Sequence, residues 1–426
     1  MSTLTPLSTS APSPADPTTH SPSLQGTPIE LRAQTYDDLT TFMQSLGEKR
    51  YRGEQLFRWI HARGVTTLDA MTDVSAKLRA RLQAENLVQV SELDIDKVQI
   101  AADGTRKLRL RTADNRLIES VLIPDDDARQ IIAGQLQQSR TLDAYDDEEE
   151  APTWERKKMT QCVSSQVGCA IDCDFCATAK LGFGRNLSAG EIVTQIYQAE
   201  SLLRSLPADD PTRLGGGDVV TNLVFMGMGE PLHNYDNLVR ALRILLHPLG
   251  RSFSRRRVTV STSGLVPQIE KLAREGLGVN LAVSLNATTD EVRDVVMPIN
   301  RKYPLSVLLS ALRRFPLDRR QRITVEYVLL GGVNDSIEDA RRLPELLRGI
   351  PTKLNLIPWN PHPHSSYRRP EQKTVAAFQA ECMRLGFTTY VRKTRGDDID
   401  AACGQLAAEN DPRAGRQRPG SLPVLS

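Results

Sequence analysis

The chain has 426 residues, 40% hydrophobic and 25% charged, with a formal net charge of +2, which is enough apolar material for one large domain and a smaller one. No stretch approaches the ~18 apolar residues of a membrane helix, and the first thirty-one positions hold neither Lys nor Arg, which argues against a signal or transit peptide. A cytoplasmic protein with no membrane contact is expected.

From the N-terminus, Met1 to Pro28 holds six Pro, six Ser and six Thr. Such a composition cannot bury enough apolar surface to offset the entropy of ordering, so residues 1–30 are expected as a disordered tail. Apolar stripes at helical spacing follow over 36–90: Leu39, Phe42, Met43 and Leu46, then Leu56, Trp59 and Ile60, then Leu78 and Leu82. They predict a helical accessory module, either a small core or an RNA-docking element.

Over 91–124 the period changes to two. Lys107–Arg111 and Leu117–Ile123 read as a β-hairpin ending at Pro124, with Glu119 on the face shared by Leu117 and Val121. Apolar neighbours on that face are expected to bury the Glu119 carboxyl in part and raise its pKa, whereas an exposed edge-strand carboxylate would not be shifted. Residues 125–151 form an acidic insertion; Asp125–Glu150 carries nine acidic residues against Arg129 and Arg140, a net of −7 that leaves +9 on the remainder. A solvated loop or linker is expected.

The basic remainder is clustered at Arg255–Arg257, Arg301–Lys302, Arg313–Arg314, Arg319–Arg322, Arg368–Arg369 and Arg392–Arg395. Such groups can neutralise phosphates and point to a nucleic-acid partner, although solvated helix faces and strand ends account for about half of them.

Residues 152–408 alternate between strand-like and helix-like stretches, starting with a helix opened by the capping box Ser188-x-x-Glu191. Strands are expected at 219–226, 257–262, 279–285, 322–330, 353–357 and 388–392, and helices at 234–246, 265–275, 305–315, 336–348 and 371–385. This rhythm predicts an α/β fold with a parallel sheet closed or partly closed into a barrel, its site at the C-terminal strand ends. Residues 409–426 are expected as a flexible tail.

The cysteines carry the chemistry. Cys162, Cys169, Cys173 and Cys176 place four of the six cysteines within fifteen residues, the last three as C-x3-C-x2-C. Three thiolates on one tight loop can hold three corners of an iron–sulfur cube and leave the fourth iron open to substrate. Structural zinc, which usually takes two C-x2-C-like pairs, fits poorly. Disulfides fit less well, because Cys382 and Cys403 lie far downstream. Cys382 shares a helix stripe with Phe378 and Leu385 and is expected in the core. His362 and His364 sit in a Pro-rich loop and are expected at the surface.

Four segments at or just after predicted strand ends supply ligands: Met226–Pro231, Ser261–Gly264, Ser284–Asn286 and Trp359–Pro361. Glycines in the first let backbone approach a ligand, and Glu230 can accept hydrogen bonds from an ammonium. A nucleotide-phosphate loop is disfavoured, because Glu230-Pro231 breaks the glycine pattern and puts negative charge where phosphate would sit. The hydroxyls and amides of the other three suit ribose and carboxylate.

The run Cys162-Val-Ser-Ser-Gln-Val-Gly-Cys169 with Cys173 and Cys176, the segment Met226–Pro231, Asn355-Leu-Ile-Pro-Trp-Asn-Pro361 and Arg395-Gly-Asp-Asp-Ile-Asp-Ala-Ala-Cys403-Gly resemble the radical S-adenosylmethionine (SAM) RNA methyltransferases of the RlmN family. The resemblance covers roughly residues 36–408. The acidic insertion departs from that family's shorter link before the cysteine loop.

The resemblance implies a partial (βα)6-type radical SAM barrel with a small N-terminal helical module. It also implies a [4Fe-4S] cluster on Cys169, Cys173 and Cys176, with S-adenosyl-L-methionine held by Gly229, Glu230, Ser261, Ser284, Leu285, Asn286 and Asn360. The expected activity is methylation of adenine C2 in 23S rRNA and, in many members, in tRNA. That carbon is electron-poor and calls for a one-electron route.

By the same resemblance Cys403 carries the methyl group, and a deoxyadenosyl radical activates it for addition to C2. Glu119 accepts the C2 proton, and Cys162 releases product by forming a transient disulfide with Cys403. An electron donor such as flavodoxin or its reductase system, and a monomeric state, are expected with it. Two rivals stand beside this function: a sibling enzyme methylating adenine C8, and a non-catalytic, metal-containing RNA-binding protein.

Overall fold

The computed structural model describes residues 27–124, 159–207 and 220–407; the expected acidic insertion, the C-terminal tail and all but the end of the N-terminal tail lie outside them. That end is ordered, contrary to expectation. Ile29–Glu30 (β1) pairs in parallel with Val88–Gln89 (β2) and joins the two ends of the helical module.

The module consists of Tyr36–Ser45 (α1), Arg50–Phe57 (α2), a π-turn at Arg58–Ala62 and Ala76–Ala84 (α3). A reciprocal capping box between Thr35 and Asp38 starts α1. The three stripes meet in a core of their own around Leu39, Met43, Leu56, Ile60, Leu78 and Leu82. Hydrophobic burial therefore explains this pattern without any ligand.

Asp94–Ile100 (β3), Arg106–Arg111 (β4) and Leu117–Pro124 (β5) form an antiparallel meander, with Arg109 opposite Glu119 and Lys107 opposite Val121. The expected hairpin is β4–β5. Met159–Cys162 (β6) is the turning point: it runs antiparallel to β5, with Cys162 opposite Val121, and parallel to Asn222–Phe225 (β9), with Cys162 opposite Val224. Between them, Gln166–Gly168 (β7) and Phe183–Asn186 (β8) form a small hairpin bracketing the cysteine loop and Ala177–Lys180 (α4), followed by Ala189–Ser205 (α5).

Beyond β9 come Tyr235–Leu246 (α6), Val258–Thr262 (β10), Val266–Arg274 (α7), Asn280–Ser284 (β11), Asp290–Val296 (α8), Leu305–Arg314 (α9), Ile323–Leu329 (β12), Ile337–Leu346 (α10), Thr352–Pro358 (β13), Gln372–Arg384 (α11) and Thr389–Val391 (β14). The expected strands and helices all occur; α8 was not foreseen because four of its seven residues are charged.

One ten-stranded sheet results, in the order β14-β13-β12-β11-β10-β9-β6-β5-β4-β3, parallel from β14 to β6 and antiparallel beyond. Among the described residues no ladder joins β3 to β14, so this is a partial barrel. β-branched and aliphatic residues on β9–β13 pack against the helices, and Cys382 is fully buried in that core, as expected.

The basic clusters do not share one face. Arg255–Arg257 and Arg319–Arg322 precede β10 and β12, at the N-terminal strand ends opposite the expected site. Arg313 and Arg314 lie at the same end, capping the Leu346 and Arg348 carbonyls and pairing with Glu270. Arg368–Arg369 and Arg392–Arg395 are at the C-terminal end.

Candidate active site at the C-terminal strand ends

The cysteine loop is held by backbone geometry. Gly168 has φ +73°, and a Cβ there would overlap the Gly182 carbonyl oxygen, so only glycine fits. The Cys169 N–H donates to that same oxygen at 3.0 Å. At the loop's far end the Phe175 carbonyl accepts from Trp359 Nε1 and His362 Nε2, both at 3.0 Å. His362 is thus buried inside the structure, not exposed as its Pro-rich surroundings suggested.

The three thiols open on a cleft of about 910 Å3, including its open mouth, at the ends of β9–β13. Gly229, Glu230, Ser261, Ser284, Asn286 and Asn360 line the same cleft. Leu285 does not. Its side chain is buried in the core, its N–H donates to the Glu326 carbonyl and its own carbonyl accepts from Arg293.

Gly229, at φ +99°, approaches Gln166 so closely that a Cβ would meet that side chain at 2.5 Å. Gln166 Oε1 in turn accepts from the Glu230 and Ala170 N–H groups at 2.9 and 3.1 Å, which ties the cysteine loop to the end of β9. Glu230 is buried, with its two oxygens accepting from Leu232 N–H at 3.0 Å and Ser263 N–H at 2.7 Å. Burial pushes its carboxyl above the usual range and these bonds draw it back; a cationic ligand in the cleft would complete the compensation.

Two functional side chains escaped the sequence argument. Arg293, fully buried on α8, donates to the carbonyls of Leu285 (2.9 Å), Ser263 (2.7 Å) and Ser284 (3.1 Å) and to Asn300 Oδ1 (2.9 Å). It clamps the ends of β10 and β11, where polar cleft residues sit. Glu326, a carboxylate inside the apolar strand β12, faces the cleft and accepts from Asn355 at 2.7 Å; a charge in the middle of ITVEYVL was the available signal. Arg392, grouped by sequence with the phosphate-binding clusters, instead lines the cleft.

Beside the cleft lies a second, narrow pocket of about 430 Å3 including its open mouth, lined by Cys162, Met226, Arg392, Ala402 and Cys403 among others. Cys403 lines both. All six cysteines are unpaired thiols. Burial pushes Cys162 up to about 12 and Cys403 in the same direction, with the Arg392 guanidinium opposing in each case.

Glu119 comes from β5, two residues along the face from the Val121–Cys162 pair. It is buried, forms an ion pair with Lys107 at 3.5 Å, and has Oε2 buried with no hydrogen-bond partner. Burial raises its carboxyl and Lys107 lowers it, with a net rise. Glu119 is absent from the lining of both cavities, and the antiparallel half brings it only diagonally across the ladder from Cys162, while the parallel half offers a ligand cleft.

The thiol triad fits an iron–sulfur cluster. Burial and repulsion among the sulfurs push Cys169 and Cys173 upward, a penalty that cationic irons reverse. Among the described residues no three Cys, His, Asp or Glu side chains gather as ligands of one metal ion; a cluster differs in giving each sulfur its own iron. The fold, the triad and the adjoining cleft define a radical SAM enzyme.

Two family models agree with this class: the ribosomal RNA large subunit methyltransferase N-terminal domain matches residues 29–88 and the radical SAM superfamily matches residues 163–343. A dual-specificity RNA methyltransferase RlmN from Geobacter sulfurreducens is 46% identical over 90% of this chain and 94% of its own length. Its counterpart from an Anaeromyxobacter species is 47% identical over 93% of this chain and 94% of its own. The crystal structure of a radical SAM methyltransferase from Sphaerobacter thermophilus matches with TM-score 0.75 at 39% identity, covering 90% of this chain and all of that one. The chain belongs to the RlmN family of radical SAM RNA methyltransferases, whose cofactors are a [4Fe-4S] cluster and S-adenosylmethionine.

Proposed function

We propose that this protein methylates C2 of adenine in 23S rRNA and in tRNA, with Cys403 as methyl carrier, Glu119 as proton acceptor and Cys162 as the thiol that releases product. The observation that carries this is the placement of Cys403 at the junction of two cavities, one shared with the thiol triad and one with Cys162. The names of the relatives, dual-specificity RNA methyltransferases, support the two RNA classes.

Cys169, Cys173 and Cys176 are the residues to hold the cluster, and Gly229, Glu230, Ser261, Ser284, Leu285, Asn286 and Asn360 those to hold S-adenosylmethionine, Leu285 through its backbone. The bound pair supplies a reductively generated carbon radical, the kind of reagent an electron-poor ring carbon requires. Glu230 binds the ammonium of the ligand, and Ser261 and Ser284 offer hydroxyls to its polar groups.

After the methyl-derived carbon has bonded to C2, the Glu119 carboxylate would take the C2 proton through its free Oε2, and the odd electron of the adduct would return to the redox centre that supplied it. Cys162, as thiolate, then attacks the Cys403 sulfur: an S–S bond forms, the S–C bond breaks, and its electron pair leaves with carbon, which takes up a proton. Both sulfurs rest as thiols because burial outweighs Arg392, so the attack awaits ionisation of Cys162. A flavodoxin-type electron donor, a cytoplasmic location and a monomeric state complete the proposal.

Anaerobic reconstitution with S-adenosylmethionine, reductant and unmodified 23S rRNA or tRNA, followed by nucleoside mass spectrometry, should yield 2-methyladenosine. Product from Cys403→Ala in wild-type amounts would contradict the carrier role, and 8-methyladenosine would overturn the regiochemistry.

A further inference from the structure

We propose that Lys107 is a positioning residue for product release: one buried ammonium holds Glu119 as a carboxylate and at the same time ties down the loop that carries Cys403. The inference rests on Glu119 being the proton acceptor, as proposed above.

The geometry is specific. Lys107 lies on β4 opposite Val121, so its side chain reaches diagonally across the ladder to Glu119, which is opposite Arg109. Lys107 and Glu119 side chains are 7% and 4% exposed, and Nζ is 3.5 Å from Oε1. The same Nζ donates to the Asp400 carbonyl at 3.2 Å, three residues before Cys403. Left-handed φ at Gly396 (+63°), Asp400 (+51°) and Gly404 (+85°) bends the loop around Cys403, which is also held by Asn360 Nδ2 on the Cys403 carbonyl at 3.1 Å and by the Ala177 N–H on the Gly404 carbonyl at 2.8 Å.

A buried carboxylate with one unpartnered oxygen would ordinarily stay protonated, and a protonated acid cannot accept the C2 proton. The charged groups around Glu119 are few. From β4 come Lys107 and Arg109, and Arg109 is engaged by Asp96 of β3 at 2.5 Å. From the C-terminal loop come the Ala407 amide and, beyond Lys107, the Asp400 carbonyl; from β6 comes the thiol of Cys162, one register step away. Lys107 is therefore the cation that most strongly opposes the effect of burial on Glu119, ahead of Arg109.

When Glu119 takes the C2 proton, the C–H electron pair stays with the ring and Lys107 keeps its own protons. Neutralising Glu119 at Oε2 leaves Oε1 as an uncharged acceptor, so the ion pair with the Lys107 ammonium weakens. The charge that fixed the ammonium between Glu119 and the Asp400 carbonyl is then gone at the stage when Cys162 must approach the Cys403 sulfur.

The test is a pH profile of single-turnover 2-methyladenosine formation by reconstituted holoenzyme on unmodified 23S rRNA. For the wild type the rate should rise through a midpoint above the ordinary carboxylate range. Lys107→Met should move that midpoint to higher pH, slowing the reaction below it by about tenfold for each pH unit the midpoint moves, and Lys107→Arg should restore it. A folding defect lowers the amplitude and leaves the midpoint in place. Backbone hydrogen exchange at residues 396–407 should quicken in Lys107→Met, reporting the lost tie to Asp400.

An unmoved midpoint in Lys107→Met, or an equal displacement in Lys107→Arg, overturns the inference. Glu119→Gln separates the two levels. If that variant forms product at the wild-type rate, the proton-acceptor assignment fails; if it is blocked while Lys107→Met keeps the wild-type midpoint, only the role of Lys107 fails.

Discussion

In the parallel half of the sheet, the ends of β9, β10 and β11 present glycine, carboxylate and hydroxyl groups whose backbone is already satisfied: Gln166 holds β9 to the cysteine loop and Arg293 bridges β10 to β11. In the antiparallel half, Glu119 has an unpartnered oxygen, and the Cys403 loop, with three left-handed residues, is tied to β4 and the β3–β4 turn by Lys107 and Asp103 and to the cysteine loop and the end of β13 by Ala177, Thr178 and Asn360. One half is built to hold a ligand in a fixed place. On the proposed roles of Cys403 and Cys162, the other is where a sulfur changes partners. Under the proposed roles, ligand binding and methyl transfer fall to different regions, and substitutions should separate them.

The largest effect is expected where both functions meet. Cys173→Ala removes one corner of the triad and should leave anaerobically reconstituted protein with greatly reduced iron and sulfide, no reductive cleavage of S-adenosylmethionine and no product. Retention of wild-type iron and cleavage would show that the triad is not the cluster site.

Arg293→Met tests the rigid half alone. It strips donors from the Ser263, Ser284 and Leu285 carbonyls, and a buried unpaired acceptor costs about 1–3 kcal/mol. S-adenosylmethionine affinity should fall by roughly tenfold or more, together with thermal stability. Arg293→Lys should recover only part, because an ammonium lacks the planar fork that spans both strand ends. Equilibrium binding to the cluster-loaded protein decides; unchanged affinity in Arg293→Met would break the comparison at its firmest point.

Asp103→Ala tests the movable half. Asp103 Oδ2 accepts the Gly396 N–H at 3.2 Å and lies 3.7 Å from Arg395, so its loss should slow turnover several-fold while leaving S-adenosylmethionine affinity unchanged. A matching drop in affinity would mean that the two halves are not independent.

This division also explains what the sequence disclosed. Strand ends in the parallel half were legible because a parallel sheet writes its strands as apolar runs and its ligand groups immediately after them, as in Met226–Pro231 and Ser284–Asn286. Cysteine spacing carried the triad by itself. Lys107 was invisible, because a lysine alternating with Leu108 and Leu110 reads as a solvent-facing position, and only the β4–β5 register and the returning C-terminal loop bury it. Arg293 was invisible for a similar reason: DEVRDVV looks like an exposed helix turn, and its burial depends on contacts with carbonyls far away in the chain. His362 was misplaced because a Pro-rich loop was assumed to face solvent, whereas this one closes over the Phe175 carbonyl. Tertiary contacts of single polar side chains leave no periodic trace.

The smallest expected effect lies at the seam between the helical module and the barrel, and it asks whether that seam is held as the cofactor cleft is, by satisfied burial. His61 is fully buried, with Nδ1 2.8 Å from the Tyr197 hydroxyl and Nε2 3.2 Å from the Gln34 carbonyl. With Nε2 donating and Nδ1 accepting, both nitrogens of a neutral imidazole are used. Burial lowers its pKa to about 3, against about 6.5 in an unfolded chain. The unfolded state therefore binds the extra proton first: this contribution is complete above about pH 6.5 and is lost as pH falls from there toward 3, at about 1.4 kcal/mol per pH unit. Denaturant unfolding at neutral and mildly acid pH should show that slope, and His61→Gln, which cannot titrate, should be less stable at neutral pH but flatter in acid. Equal slopes in the two proteins would mean that the imidazole gains access to water without unfolding, and the seam would then belong with the movable half of the molecule.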